Sequence, residues 1–312
     1  METAIQAQGL TRRYRRRGRP ALADLHMAIP PGQLYGLVGP DGAGKTTTLR
    51  ILATVITPSE GTASIAGYDV VRQAEQARHH IGYMPQAFSL YPDLTVRENL
   101  DFFADIHAVP AAQRQERIPQ LLQFARLEEF QSRRSAYLSG GMRKKLALAC
   151  ALVHTPHVLL LDEPTTGVDP VSRRELWRIL AEVVQQGVTI LVSTPYMDEA
   201  ERCHQVGMIY EGRLLTSGPP DELARQLPFA VLEVIARPRH AARQAIPDTP
   251  GLLRWRPVGD RLRLAVSDAE PARAHLAAAL QQAGATINAL RQAKPTMEDA
   301  FIHLVEAQRG AP

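Results

Sequence analysis

The stretch Leu34-Tyr35-Gly36-Leu37-Val38-Gly39-Pro40-Asp41-Gly42-Ala43-Gly44-Lys45-Thr46-Thr47 decides how this chain is read. Its apolar start, Leu34 to Val38, predicts a buried strand, and the glycines turn the chain into a segment that continues Thr48, Leu49, Arg50, Ile51 and Leu52. Gly39, Gly44, Lys45 and Thr46 satisfy the phosphate-binding pattern G-x-x-x-x-G-K-[ST] in the strand–loop–helix setting that it requires. Each residue type has a reason. Glycines let successive backbone N–H groups face phosphate oxygens, and the N-terminus of the following helix adds partial positive charge. A lysine at position 45 reaches the β- and γ-phosphates, and the Thr46 hydroxyl is placed to ligate Mg²⁺. Lys45 itself reads as an exposed loop residue that supports little core. The competing reading, a glycine-rich turn with an incidental lysine, does not account for the strand before and the helix after.

At 312 residues the chain can hold one large domain, or a domain of common size and a small one. The net charge is a modest +4, without an acidic or basic half. The local exception is Thr11-Arg12-Arg13-Tyr14-Arg15-Arg16-Arg17-Gly18-Arg19-Pro20, which reads as a solvated hairpin tip; one aromatic in one short run makes a poor nucleic-acid surface. The two cysteines, Cys150 and Cys203, are far apart and lack metal-type spacing, which suits a reducing compartment. No apolar run approaches the roughly 20 residues that span a bilayer. Met1-Glu2-Thr3-Ala4 has neither a charged nor an apolar signal region, so no signal peptide is expected.

Strands are predicted at Gln6–Leu10, Ala21–Ile29, Thr62–Ile65, Ile81–Gln86, Val158–Leu161, Val188–Val192 and Val206–Tyr210. Helical periodicity governs about 87–153, where Ile118, Leu121, Leu122 and Ala125 share one face, and recurs at Leu176, Ile179, Leu180, Val183 and Val184. Alternating apolar strands and helices predict an α/β core with a mostly parallel sheet, an antiparallel β start and an inserted helical subdomain. The composition shifts near Pro228, giving an expected domain at 1–227 and a second at 228–312. The second reads as a small α+β unit of ferredoxin-like order, closed by a helix that opens on the capping pattern Thr296-Met297-Glu298-Asp299.

Asp162 ends an apolar strand, where a carboxylate can hold Mg²⁺ directly or through water. Glu163, next to it, points to the other face and can position or activate water. Alone the pair could be an ordinary strand end. Joined to the phosphate loop, it points to nucleotide hydrolysis.

Gly39–Thr46, Gln86, Leu138-Ser139-Gly140-Gly141-Met142, Val158–Glu163 and Gly167-Val168-Asp169 follow the order and spacing of ABC transporter ATPase subunits, and roughly residues 5–225 resemble that family. The tail Lys294-Pro295-Thr296-Met297-Glu298-Asp299-Ala300-Phe301 resembles the carboxy-terminal extension of ATPases that serve multidrug and antibiotic exporters. The resemblance implies ATP and Mg²⁺ as cofactors. ATP would be held by Gly39, Asp41, Gly42, Ala43, Gly44, Lys45, Thr46 and Thr47, with Tyr14 stacked on adenine. Thr46, Gln86 and Asp162 would serve the metal, and Glu163 and Gln86 the attacking water. It further implies two ATPase domains facing head to tail, so that Ser139, Gly140 and Gly141 meet the γ-phosphate held by the other copy and Asp169 lies across the same contact. Ser139 sits where a helix N-cap belongs, ahead of N–H groups that attract anions.

Two positions depart from the family pattern. Asp41 stands where Asn is usual, and Pro195 takes the place of the histidine that hydrogen-bonds the γ-phosphate. Proline has neither a side-chain donor nor a backbone N–H. His204 is expected on the following helix as an exposed histidine rather than a substitute. The pattern resembles the degenerate half of a two-ATPase exporter. The expected protein is the ATP-binding, ATP-hydrolysing subunit of an export-type transporter, peripheral on the cytoplasmic face of the membrane. Its expected partners are transmembrane permease subunits and a second ATPase, identical or histidine-bearing, with no nucleic acid. The alternatives are a regulatory ATP-binding module with little hydrolysis and a soluble ATPase of this family acting on ribosomes or DNA.

Overall fold

The computed structural model describes residues 3–15, 18–87 and 90–310. Arg16 and Arg17, at the centre of the basic run, lie outside the described residues, as do Met1, Glu2, Phe88 and Ser89. The chain divides into two compact units, Met1–Pro220 and Asp221–Pro312.

The first unit begins with β1 (Ile5–Arg12) and β2 (Leu22–Ile29), then enters β3 (Leu34–Val38) and α1 (Lys45–Leu52). β4 (Glu60–Ile65), β5 (Tyr68–Asp69), α2 (Ala74–His79) and β6 (Ile81–Met84) follow. The helical segment holds α3 (Val96–Ile106), α4 (Ala111–Ala125) and α5 (Gly140–Ala151). The chain returns through β7 (Val158–Asp162), α6 (Pro170–Gln185), β8 (Thr189–Thr194), α7 (Met197–Ala200), β9 (Gln205–Tyr210) and β10 (Arg213–Gly218).

Two sheets result. An antiparallel one runs β2-β1-β4-β5, and a six-stranded one runs β10-β9-β3-β8-β7-β6. In the larger sheet only β10 is antiparallel to its neighbour. Composition explains the difference. β3, β7 and β8 are buried at every residue, as strands covered on both faces must be, whereas β2 alternates between core and solvent. Truncating Leu160, fully buried in β7, to alanine would cost about 2–5 kcal/mol. The stripe Ile118, Leu121, Leu122 and Ala125 is the buried face of α4. α3 opens on a capping box, with the Glu98 amide donating to the Thr95 hydroxyl and the Thr95 amide to the Glu98 carboxylate. No helix among the described residues is long and apolar enough to cross a membrane.

Past α8 (Pro220–Arg225), the second unit runs β11 (Ala230–Arg237), α9 (Arg239–Ala245), β12 (Leu252–Val258), β13 (Arg261–Val266), α10 (Ala269–Gln282), β14 (Thr286–Ala293) and α11 (Met297–Gly310). Its sheet order β12-β13-β11-β14, antiparallel throughout, is the ferredoxin-like split βαβ arrangement. Leu232, Val234, Leu264 and Val266 face Ala242 of α9 and Ala272, Leu276 and Leu280 of α10 in one apolar cluster. The opposite side of the sheet is polar at its centre. There Arg263 donates to Glu233 at 2.6 Å and to Asp299 of α11 at 2.8 Å.

Candidate nucleotide site

β3 lies between β9 and β8, with β7 on the far side of β8, so Gly39, Pro195 and Glu163 emerge from the carboxyl ends of adjacent parallel strands. Crevices in α/β proteins form at such ends. A cavity of about 360 Å³ opens there, lined among others by Asp41, Gly44, Lys45, Thr46, Gln86 and Glu163. A larger hollow of about 440 Å³, walled by Arg117, Phe124 and Arg178, has no glycine cradle, so size alone does not select the site.

Glycine is required where the loop leaves β3. A Cβ on Gly39 would collide with the Ile209 carbonyl, and Gly44 holds φ at 111° against the Ala21 carbonyl. Lys45 is not the exposed loop residue its sequence position suggests. It is 4% exposed, because its ammonium folds back to donate to the carbonyls of Gly39 at 2.8 Å and Pro40 at 3.1 Å. The same ammonium lies 3.4 Å from Glu163 Oε1. Asp41 is open to solvent, with its carboxylate 4.0 Å from the Lys45 ammonium, so water screens the charge added there. Tyr14 is also open; the Arg12 guanidinium lies 5.1 Å from its ring centroid, and its hydroxyl is 3.4 Å from that of Thr47.

Asp162 is fully buried. Its Oδ1 accepts from the hydroxyls of Thr46 at 3.1 Å and Ser193 at 2.7 Å, while its buried Oδ2 has no hydrogen-bond partner. A buried carboxylate oxygen left bare beside a threonine hydroxyl fits a hard divalent cation. Glu163 takes φ of +49°, and its amide donates to the Ser193 hydroxyl at 3.0 Å. Its Oε2 accepts from Gln86 Nε2 at 3.0 Å and from the Thr166 hydroxyl at 3.2 Å. Buried Lys144 donates to the Gln86 carbonyl at 3.3 Å. Burial lowers the pKa of Lys144, against the opposing pull of Asp162 and Glu163.

Ser139, Gly140, Gly141 and Asp169 form a second group, and none of them lines the 360 Å³ cavity. The Ser139 hydroxyl caps α5 by accepting from the Met142 amide at 3.2 Å. Asp169 caps α6, accepting from the amides of Val171 and Ser172 at 3.0 Å each. The Ser172 side chain and then these amides hold the Asp169 carboxyl below its usual range. A Cβ on Gly141 would come within 2.5 Å of the Ser172 hydroxyl, so the starts of α5 and α6 touch.

Pro195 is half-buried between Thr194 and Tyr196. His204 is exposed, but it lies in the bend before β9 rather than on a helix, because α7 ends at Ala200. Its Nδ1 accepts from the Leu34 amide at 3.1 Å. Sequence reasoning missed Ser193, Thr166, Lys144 and Glu199. Ser193 sits opposite Asp162 in the β7–β8 register, which only strand pairing reveals. Glu199, 1% exposed on α7, accepts from the hydroxyls of Thr194 at 2.6 Å and Thr165 at 2.9 Å.

Comparison with known proteins bears on this arrangement. Residues 22–166 match the ABC transporter family model, and residues 218–305 match the model of the DrrA1-3-like ATP-binding protein C-terminal domain. The chain is 41% identical to the Nod factor export ATP-binding protein I of Paraburkholderia xenovorans, over 88% of this chain and 90% of that one. It is 46% identical to the probable multidrug ABC transporter ATP-binding protein YbhF of Escherichia coli, over 72% of this chain but only 39% of the relative's length. Among solved structures, the ATP-binding subunit of an ABC transporter aligns at 32% identity with a TM-score of 0.66, covering 72% of this chain and 93% of that one. A dimeric ATP-binding cassette in a post-hydrolysis state with ADP and Pi aligns at 26% identity and 0.64, covering 69% and 98%. The chain belongs to the family of ABC transporter ATP-binding proteins, ATPases coupled to transport.

Proposed function

We propose that this chain is the ATP-hydrolysing subunit that powers an export-type transporter of the multidrug or antibiotic class, and that its own catalytic site is slow. The names of the relatives, multidrug transport and Nod factor export, support the exporter reading. Permease subunits would do the spanning, and the chain would sit on the cytoplasmic face of the membrane. Domain boundaries near 1–227 and 228–312 go with this reading, the second domain serving an accessory role.

Gly39 to Thr47 would hold the phosphates of ATP, with Tyr14 against the adenine. Thr46, Asp162 and Gln86 would hold Mg²⁺, which when bound neutralises charge on the phosphates. The bare Asp162 Oδ2 supports this assignment. Incoming phosphates would compete with Glu163 for Lys45, freeing the Glu163 carboxylate to accept a proton from water with Gln86 beside it. Ser139, Gly140 and Gly141 would complete the site of a second ATPase, and Asp169 would reach across the same contact. ATP would thereby favour the closed pair, a ligand-biased equilibrium.

Pro195 carries the slow-site reading, since it offers no donor to the γ-phosphate. Losing one preorganised donor costs about 3–4 kcal/mol, or roughly 10²–10³ in rate. The same residue favours a second reading, a regulatory module that binds ATP and barely turns it over. Phosphate release by the purified chain, alone and with a histidine-bearing partner ATPase, separates these outcomes. Slow turnover alone and faster turnover in the pair support the proposal. No stimulation by any partner favours the regulatory module, and absence of ATP binding overturns both.

A further inference from the structure

Three elements of the first unit converge on one buried carboxylate. Glu199 projects from the single-turn helix α7 and is 1% exposed. Its Oε2 accepts from Thr194 Oγ1 at 2.6 Å, at the end of β8, and from Thr165 Oγ1 at 2.9 Å, in the loop between Glu163 and Asp169. Its Oε1 makes no hydrogen bond and faces Arg173 Nε of α6 at 3.5 Å. The Arg173 guanidinium in turn lies 4.7 Å from the Tyr196 ring centroid. Taking a carboxylate out of water is costly, and an apolar side chain could fill this space without that cost. What an apolar side chain cannot supply is two acceptor bonds of fixed direction.

Those bonds matter because of Glu163. Its φ of +49° is a left-handed conformation that a non-glycine residue holds only where its surroundings over-determine it. One fastening is the bond from its amide to the Ser193 hydroxyl. Another acts two residues on, where Thr165 is tied to Glu199, and the same carboxylate also holds Thr194, which separates Ser193 from Pro195. We propose that Glu199 is a positioning residue for ATP hydrolysis: it joins the Glu163–Asp169 loop to the Pro195 turn, so that the strained carboxylate at Glu163 keeps its aim. This rests on the reading of Glu163 as the group that activates water. Because Pro195 contributes no donor, alignment in this site depends all the more on that junction. Glu199 touches no residue of the phosphate loop in the contacts given above, so ATP affinity and hydrolysis rate should separate.

The test uses the full chain and measures affinity for a non-hydrolysable ATP analogue, the single-turnover rate with ATP, and the melting temperature. Glu199→Ala should lower the rate about tenfold or more, as misplacement of a reacting group does, with the dissociation constant unchanged within about twofold. Glu199→Gln should recover most of the rate, because an amide oxygen has two lone pairs and can accept from both threonine hydroxyls. If Glu199→Ala does not fold, Thr165→Val and Thr194→Val each remove one of the two bonds at nearly constant volume, and each should slow hydrolysis while sparing affinity. An unchanged rate, a parallel loss of rate and affinity, or a Glu199→Gln variant as slow as Glu199→Ala overturns the proposal. Failure of the unmodified chain to bind the analogue would instead overturn the functional reading beneath it.

Discussion

The Lys45 ammonium and the Glu163 carboxylate lie 3.4 Å apart, both nearly closed off from water. In the proposed reading one of these groups meets phosphate and the other water, so the ion pair couples them and a change in one is felt by the other. Lys45→Ala should abolish ATP binding by titration calorimetry; undiminished affinity would sink the assignment. Because Lys45 is buried, this variant should also melt earlier. Glu163 keeps its bonds from Gln86 and Thr166, so the cost is that of a weakened buried network, about 1–3 kcal/mol.

Pro195 makes an asymmetric prediction. On the proposed reading, in a mixed pair with a histidine-bearing ATPase the site closed by Ser139 of this chain would be complete, while the site built on Glu163 would be slow. Ser139→Arg should then reduce the paired activity more than Glu163→Gln does. Pro195→His should raise the turnover of the isolated chain. Fast turnover by the purified chain alone, abolished by Glu163→Gln, would show that Pro195 is harmless.

The two glycines after Ser139 should respond differently to a methyl group. A Cβ on Gly140 meets nothing nearer than the Gly167 carbonyl at 3.6 Å, an ordinary contact, whereas one on Gly141 comes within 2.5 Å of the Ser172 hydroxyl. Gly141→Ala must push the starts of α5 and α6 apart, at about 1–3 kcal/mol. Gly140→Ala should leave the melting temperature almost unchanged. Thermal melts of the two variants side by side check this.

In the second unit, Arg263 lies between Glu233 and Asp299. Arg263→Ala removes the cation that Glu233 and Asp299 share, but Glu233 keeps Arg261 and Arg291 and Asp299 keeps Arg256, so the cost is that of a weakened network, about 1–3 kcal/mol by calorimetry of the full chain. Burial would raise the Asp299 carboxyl, but bonds from Thr296 and the Arg263 charge prevail and hold it below its usual range. Its contribution is therefore complete above the unfolded pKa of about 3.9 and disappears as pH falls through the lower folded value. The acid limb of the stability curve should flatten in Asp299→Asn.

A second titration acts in the first unit, where burial and then the neighbouring His107 push His154 down to about 4. The unfolded chain binds that proton near pH 6.5, so stability falls as pH drops from about 6.5 towards the folded value. His154→Gln should remove that part of the pH dependence, measured by denaturant melts across the interval.

The phosphate loop, the Asp162–Glu163 strand and the α4 stripe were legible because each is local: a glycine spacing, an apolar run, a period of 3.6. The capping pattern at Thr296 was legible for the same reason, and Asp299 does bond the Thr296 amide at 2.9 Å. What escaped is set by pairing between distant segments. Ser193 depends on strand register, and the role of Glu199 requires β8, α7 and the loop after β7 to meet. Lys45 looked exposed because its burial comes from folding back on its own loop. α2 buries only Ala77, so it leaves no periodic stripe to read.

Cys150 and Cys203 are both free, buried and in the first unit, and they are the chain's only thiols. Burial pushes the Cys203 thiol up to about 12, and that of Cys150 upward as well, so neither offers thiolate to a reagent at neutral pH while it stays enclosed. The unmodified chain thus carries its own clock. Cys203 lies against Gly36 of β3, the strand that leads into the phosphate loop, and its Sγ is 3.8 Å from the Glu199 carbonyl. The rate at which a thiol reagent finds Cys203 measures how often the packing under β3, beneath the candidate nucleotide site, comes open. A bound ATP analogue should slow that rate without any label having been introduced.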